Sequence, residues 1–474
     1  MVIPTAAGIS VYKGAIMFID KNQILSQLNF LYRREGSCCL SLYSGPGAGK
    51  TRLLEEFSRD KRALYFKASC VLYEENFRLF RDLCVRRLGD GFTEAAKFTR
   101  LFLMLKKEAA KEPLILILDD FHLLSMKNRR LYPFLQALVK DMSGEEKFFI
   151  ILCKPYTLWE KEGTKEEPAF LLPDFHFFEM RKLYPSLRIE EQILLYGVTG
   201  GNPGCLKYFP QEKPLTESLY EQLFTPEGDL YRAVPSMLRE YYSGSSLLPT
   251  ILAVIGQKPK RLQDICEPTG LTPSAAGSLL SSLSAHGLTR RLVPVTEEQP
   301  SRRALYKISH SLSRFWFTFV YPFRSDIEAG MGRDIFEEQV KPRLQAYMED
   351  TFANICREFL RLLERAGQAP FPLDKVGMWW GQHPTKKRTF QVPIAAAGEN
   401  KILLGQCFWT QEWMDVDALE ELQHNATLFP DMEKWYCLFS TSDFVTGFEA
   451  ISGSHVRVYS LEKMCDIAKE LEQL

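Results

Sequence analysis

The residues best suited to chemistry lie in two short stretches. The first is Ser44-Gly45-Pro46-Gly47-Ala48-Gly49-Lys50-Thr51, between the apolar run Cys38 to Tyr43 and a helix-like run that begins at Arg52. Small residues let backbone N–H groups close on phosphate oxygens, and the N-terminus of the following helix adds partial positive charge. Lys50 has the length to reach β- and γ-phosphates, and the Thr51 hydroxyl suits Mg2+. One position departs from the usual spacing, which wants Gly five residues before Gly49 where this chain has Ser44. The second stretch is Leu114-Ile115-Leu116-Ile117-Leu118-Asp119-Asp120, a fully apolar strand pattern ending in two acids. Beside a phosphate loop, the first acid can hold Mg2+ through water and the second can orient the attacking water. The expected phosphate-binding set is therefore Ser44, Gly45, Pro46, Gly47, Ala48, Gly49, Lys50, Thr51 and Arg52. Thr51 and Asp119 are the expected metal positions, and Asp120 with Lys50 the catalytic pair.

The elements that must carry these residues follow from periodicity. Met17 to Asp20 reads as a short strand or turn, and the run from Lys21 as an amphipathic helix with Ile24, Leu25, Leu28 and Leu31 on one side. Ala63 to Ala68 is a compact apolar strand pattern, and the stretch from about Glu74 to Lys111 is helical, broken near Gly89-Asp90-Gly91. Phe148 to Cys153 is the next strand, so strand and helix alternate and a parallel sheet covered on both faces is expected. Lys154 at the end of that last strand has the charge to sense a γ-phosphate, but an exposed lysine at a strand end is the favoured reading.

Composition places limits on the rest. The 474 residues are enough for about three domains of ordinary size. Lysine plus arginine equals aspartate plus glutamate at 59 each, so no global charge points to a nucleic acid or a membrane, and any such surface must be local. The 11 cysteines are scattered without metal-type spacing, which suits reduced, packed thiols in a cytoplasmic protein. Adjacent Cys38 and Cys39 are expected in the core. No apolar run is long enough to span a bilayer, so no membrane partner is expected.

At Tyr196-Gly197-Val198-Thr199-Gly200-Gly201-Asn202-Pro203-Gly204-Cys205-Leu206 the chain becomes more distinctive. Together with Phe18-Ile19-Asp20, Gly49-Lys50-Thr51 and Leu118-Asp119-Asp120, it resembles the prokaryotic "archaeal ATPase" family within the STAND branch of AAA+ proteins. The resemblance implies a P-loop NTPase core over residues 1–182 and a helical lid over 183–245. Its Gly-Gly-x-Pro turn would place Gly200, Gly201 and Pro203 near the nucleotide base. It implies a winged helix-turn-helix with an aromatic linker over 246–322 and an α/β restriction-endonuclease-like domain over 323–474. The residues agree with the third part. Thr250 to Ile255, Arg261 to Cys266 and Pro273 to His286 read as three helices, followed by Gly287 to Val293. The third helix carries few arginines or lysines, so a DNA-reading and a structural or protein-binding role both stay open. Lys258, Lys260, Arg261, Arg290, Arg291, Arg302 and Arg303 nearby could form a phosphate-contacting surface or an ordinary solvated face. The linker shows Tyr306-Lys307-Ile308-Ser309-His310, with His310 at the family's usual Asp position, then Arg314-Phe315-Trp316-Phe317, best read as interdomain packing.

In the last domain the resemblance implies a metal-dependent nuclease pattern of a helix Glu, a strand acid and a Glu-x-Lys. Ala353, Thr389, Gln391, Gln406 and Phe408 stand at positions where those groups would be. Neutral amides are poor Mg2+ ligands, so no nuclease activity is expected. The chain as a whole thus reads as α/β, with ATP and Mg2+ as cofactors and ATP or ADP as ligand. The expected function is a slowly hydrolysing molecular switch in which nucleotide state moves the downstream domains. Two alternatives are a DNA-binding regulator that uses ATP as a conformational ligand, with DNA on the winged helix, and a scaffold for an unknown protein partner.

Overall fold

The computed structural model describes residues 22–34, 36–142, 146–159, 162–163, 168–241, 246–298, 301–382, 389–410, 412–414, 417–446, 448 and 453–471. The Phe18-Ile19-Asp20 motif lies outside these. The chain divides into two compact units, one of residues 1–174 with 202–204, and one of residues 175–201 with 205–474.

The first unit holds α1 (Asn22–Arg33), β1 (Cys38–Ser44), α2 (Lys50–Ser58), β2 (Ala63–Lys67), α3 (Tyr73–Leu88), α4 (Phe98–Lys111), β3 (Leu114–Asp119), α5 (Phe121–Ser125), α6 (Leu131–Lys140), β4 (Phe148–Pro155) and β5 (Ala169–Leu172). Its five strands form one sheet in the order β2-β3-β4-β1-β5, all parallel. Strand β3 explains why the sheet is continuous through the middle. Leu114, Leu116 and Leu118 pack into one apolar cluster with Phe80, Phe102 and Leu135, while Ile115 and Ile117 pack into another with Leu53 and Phe57. Both faces of the strand are apolar because both are covered by helices. The only polar ending such a strand can tolerate is at its tip, where Asp119 and Asp120 stand.

The second unit is held together by an apolar cluster that runs from Phe175 to Ala468. It starts with α7 (Phe177–Leu183), α8 (Ile189–Thr199), α9 (Pro203–Leu206, whose first two residues belong to the first unit), α10 (Leu215–Leu223) and α11 (Asp229–Tyr241). Next come α12 (Leu247–Gly256), α13 (Leu262–Thr269), α14 (Pro273–Ala285) and the antiparallel hairpin β6 (Thr289–Leu292) and β7 (Leu305–Ile308). The aromatic segment forms α15 (Ser311–Phe315) and a π-type turn over Trp316–Val320, with Phe315, Trp316, Phe317 and Phe319 all buried. Short turns α16 (Arg324–Asp326) and α17 (Gly332–Asp334) lead to the long helix α18 (Leu344–Arg365).

A second five-stranded sheet follows, formed by β8 (Lys375–Gln382), β9 (Thr389–Gly398), β10 (Lys401–Phe408), β11 (Glu433–Ser440) and β12 (Val456–Ser460), with α19 (Asp417–Asn425) and α20 (Leu461–Leu471) beside it. Strands β8, β9 and β10 are antiparallel, whereas β10, β11 and β12 are parallel. The pairing of β8 with β9 slips between Gly377 and Trp379, opposite the stretch that contains Pro393. A proline cannot donate to the ladder, so a bulge is its natural place. The bulge changes which face the residues before it point to. The fold is α/β throughout.

Candidate nucleotide site

The glycines of the loop differ in what they do. Gly47 and Gly49 sit at φ 73° and 87°, where a Cβ is strained, whereas Gly45 has ordinary φ and open space around it. Ser44 is the last residue of β1, 5% exposed and paired in register with Pro155 and Leu172. The missing glycine at position 44 therefore falls on extended strand, where any small residue fits. Gly49 precedes the first residue of α2, so the helix N-terminus opens directly onto the loop. Thr51 and Arg52 lie exposed in the first turn of α2, while Ala48 is buried.

The loop is strapped from a distant part of the chain. The Asn202 side-chain amide donates to the Pro46 carbonyl at 2.8 Å and to Asp174 Oδ1 at 2.9 Å. The Gly204 N–H donates to the Gly47 carbonyl at 2.9 Å. A Cβ on Gly47 would come within 2.5 Å of Asn202 Oδ1, and one on Gly204 within 2.9 Å of the Gly47 Cα. The two backbones touch only because both residues lack side chains. Pro203 stands between the two strap residues, half-buried. Gly200 and Gly201 belong to the second unit and supply the left-handed turn that ends α8, with φ 63° and 72°. Asn202, Gly204 and Asp174 carry no local signal of this role in the sequence, since the contacts are remote along the chain, 156 residues for Asn202 with Pro46 and 28 for Asn202 with Asp174.

Lys50 and Asp119 are brought together as an ion pair, with side chains 19% and 3% exposed. Burial alone would raise the Asp119 carboxyl, but Lys50, Tyr65 and the Asp120 N–H outweigh it and hold the group below its ordinary value. The Lys50 ammonium is correspondingly raised, its burial outweighed by surrounding negative groups including Asp119 and Asp120. The phenol of Tyr65 on β2 donates to Asp119 Oδ2, and the Asp120 N–H donates to Asp119 Oδ1 at 2.9 Å. Tyr65 reaches the acid from the neighbouring strand, because the β2–β3 register sets Lys67 opposite Asp119 and Tyr65 two residues back on the same face. Sequence reasoning missed it for that reason. Asp120 takes a left-handed conformation, φ 52° and ψ 37°, as it caps α5, and lies 3.6 Å from the Lys67 ammonium. A non-glycine residue held there is strained, a condition that clusters at functional sites.

Two expectations are corrected. Lys154 is not exposed: it is 4% exposed, lies 3.3 Å from both the Tyr43 hydroxyl and Glu162 Oε2, and covers the Tyr132 ring at 4.5 Å from its centroid. The reason is register, since β4 sets Lys154 beside Tyr43 on a covered face of the sheet. The expected nuclease-type positions are also not brought together. Phe408 packs with Ile402 and Leu404 in one cluster, and alternation puts Gln406 on that same face, whereas Ala353 lies on α18, which packs on the opposite face with Leu403 and Cys407. Gln391 is exposed on β9, and the Thr389 side chain lies outside the described residues. Of the basic residues proposed as one surface, Arg303 pairs with Glu297 and donates to the Trp380 carbonyl, and Arg291 donates to the Ser301 carbonyl at 3.0 Å. Arg303 thereby ties its segment to β8, and Arg291 braces the connection between β6 and β7.

Sheet order, loop and acid pair together define the first unit as a P-loop ATPase fold. Residues 316–422 match a family described as archaeal and bacterial proteins of unknown function. An uncharacterized protein of Methanocaldococcus jannaschii is 23% identical over 441 residues, 89% of this chain and 95% of that protein. Among solved structures, the Walker-type ATPase of Pyrococcus abyssi is 14% identical, with 63% of this chain and 96% of that one covered and a TM-score of 0.47. A STAND protein with a tetratricopeptide repeat sensor from Pyrococcus horikoshii is 16% identical, with 72% and 49% covered and a TM-score of 0.28.

Proposed function

We propose that the chain is an ATP-binding, slowly hydrolysing switch whose nucleotide state is passed to its helical, winged-helix-like and C-terminal segments. The observation that carries this reading is the Lys50–Asp119 pair at the mouth of a loop whose conformation is fixed by Asn202 and Gly204. The donor set suits a nucleotide with its metal. Backbone N–H groups, Lys50 and a helix N-terminus serve phosphate oxygens, and the Thr51 hydroxyl with the Asp119 carboxylate serves a hard cation. When bound, Mg2+ would neutralise charge on the phosphates. Lys50 exchanges its carboxylate partner for phosphate oxygens, and Asp120 orients the attacking water. Aspartate is one methylene shorter than glutamate in such a role, which favours slow turnover. Coupling follows from the chain path. Residues 202–204 are built into the first unit while their neighbours on both sides belong to the second, so a change at Pro46 or Gly47 is transmitted along the backbone to α8 and α9.

Titration of ATP with Mg2+ by calorimetry tests the reading. Lys50→Ala is expected to lower affinity on the order of a hundredfold, from the loss of a buried charged hydrogen-bonding partner, and Asp120→Asn to lower turnover while binding is kept. Unchanged affinity in Lys50→Ala would remove the phosphate-loop assignment.

A further inference from the structure

His122 is the second residue of α5 and follows the acid pair directly, two positions after Asp120. Phe121 and Leu124, fully buried in the cluster that contains Ile150 and Leu152, seat this short helix against β4. Successive helical residues are about 100° apart, so His122 falls outside the seated face. It is left half-buried. The left-handed turn at Asp120 carries the chain from β3 straight into α5, and acid and imidazole are therefore held by one short piece of backbone. The ring is enclosed on one side only. Its Nδ1 is covered by protein and has no hydrogen-bond partner among the described residues, a condition in which folded chains leave few buried polar atoms.

That covered atom decides where the proton of the ring sits. Burial, acting against Asp120, holds the imidazole below its ordinary value, so near neutral pH the ring carries one N–H and one bare nitrogen. A buried N–H without an acceptor forfeits its whole hydration, and chains tolerate an unpaired lone pair more readily. The favoured tautomer therefore has its proton on Nε2. The nitrogen left for a ligand is thus a donor. A donor suits an anionic oxygen and, having no free lone pair, does not suit a metal ion.

The surroundings indicate which oxygen. The charges that act on the ring are those of Asp120, Lys50, Asp119 and Glu162. Glu162 is itself paired with Lys154 of β4 at 3.3 Å. In the strand order β3-β4-β1, the tip of β4 lies between the loop that follows β1 and the acids that end β3. A chain of phosphates held by the loop and extending toward Asp119 and Asp120 ends over that tip, on the side where α5 packs. The group that arrives there is the terminal phosphate of a triphosphate. A diphosphate is one phosphate too short.

We propose that the Nε2–H of His122 donates to the terminal phosphate of a bound nucleoside triphosphate and makes the site discriminate triphosphate from diphosphate. The proposal rests on the nucleotide reading of the loop and deepens it, by naming the residue that distinguishes the two states of the switch.

Calorimetric titration of the full chain with Mg2+ and either ADP or an ATP analogue with a β,γ-imido bridge tests it. His122→Phe keeps a ring but no donor, and is expected to weaken the analogue on the order of tenfold, the loss of one hydrogen bond to a charged group, while ADP binds as before. His122→Gln places an amide N–H near the position of Nε2 and is expected to keep most of the preference for the analogue. Should His122→Phe fail to fold, His122→Asn, whose amide ends nearer the backbone, is expected to show the same selective loss. Lys50→Ala is expected to weaken both ligands, which separates the loop from the histidine. Equal weakening of ADP and analogue in the His122 variants, or no weakening of the analogue, would overturn the proposal. An unchanged chain that binds neither ligand would remove the loop reading and this proposal with it.

Discussion

The tip of β3 and the α18 face of the C-terminal sheet are both places where buried strands give way to charged side chains, yet their charges are arranged in opposite ways. At β3 the buried carboxylate of Asp119 meets Lys50, Tyr65 and a backbone N–H, so every oxygen has a donor. On the α18 face, Arg357 and Arg361 end on carbonyls and an amide, and Arg290 faces Lys307. The first site is balanced without a ligand, and a ligand must exchange partners to enter. The second gathers like charges, and its two helix arginines are held by neutral oxygens. Position at a strand end or beside a sheet therefore does not decide how charges are paired; the sign of the neighbouring side chains does.

The largest expected effect that tests this contrast is on stability. Lys50→Ala leaves Asp119 buried without its cation, and should destabilise the first unit by about 3 kcal/mol in a thermal or denaturant melt. A melt unchanged by that substitution would mean that the β3 tip is not balanced by the pair. Tyr65→Phe removes one hydrogen bond to a charged group and should cost about 1.5 kcal/mol, with a lower kcat at unchanged KM if Tyr65 positions Asp119; a change in KM alone would argue against positioning.

The second region should respond in the opposite direction. The Lys307 ammonium is pushed from its ordinary 10.5 to about 7 in the folded chain. Between pH 7 and 10.5 the unfolded chain holds a proton that the folded chain has released, so stability rises with pH across that window. Lys307→Met should flatten this slope and raise the melting temperature at pH 7 by roughly a degree or more. A fall instead would show that the cluster is not overcharged. The smallest effect near neutrality concerns His310, half-buried at the start of α15, whose Nδ1 accepts from the Ser313 N–H at 3.3 Å. Burial lowers its imidazole from 6.5 to about 4, so its contribution is complete above pH 6.5 and is lost as pH falls toward 4. His310→Asn keeps a capping side chain and should leave stability at pH 7 unchanged while removing that acid slope.

Legibility in the sequence followed contact range. The loop from Ser44 to Thr51 and the acids Asp119 and Asp120 were readable because their residue types and local spacing carry the chemistry. The strands β1 to β4 were readable because both faces are apolar. Strand β5 was missed, being only four residues long and bounded by Pro168 and Pro173. Tyr65, Asn202, Asp174 and Gly204 were invisible because they reach the site through register and chain reversal. In the C-terminal half, alternation alone could not tell which face Gln406 and Phe408 would take relative to Ala353. The slip opposite Pro393 adds a further change of parity on β9, and so Arg357, one helical turn from Ala353, went unnoticed as the residue that fills the region.

The Gly47–Gly204 contact also bears on the order of folding. The loop's residue types are complete by Thr51, but the strap that fixes its shape joins positions 156 apart, between Pro46 and Asn202. Closing so long a segment costs entropy that is recovered only when both ends are in place. During synthesis, the sheet from β1 to β5 can assemble while its loop still lacks the strap, and nucleotide affinity should mature only after residue 204 has joined it. A fragment ending at Asp174 would then carry the whole sheet and still bind poorly, which makes the turn at Asn202 the last-installed part of the site.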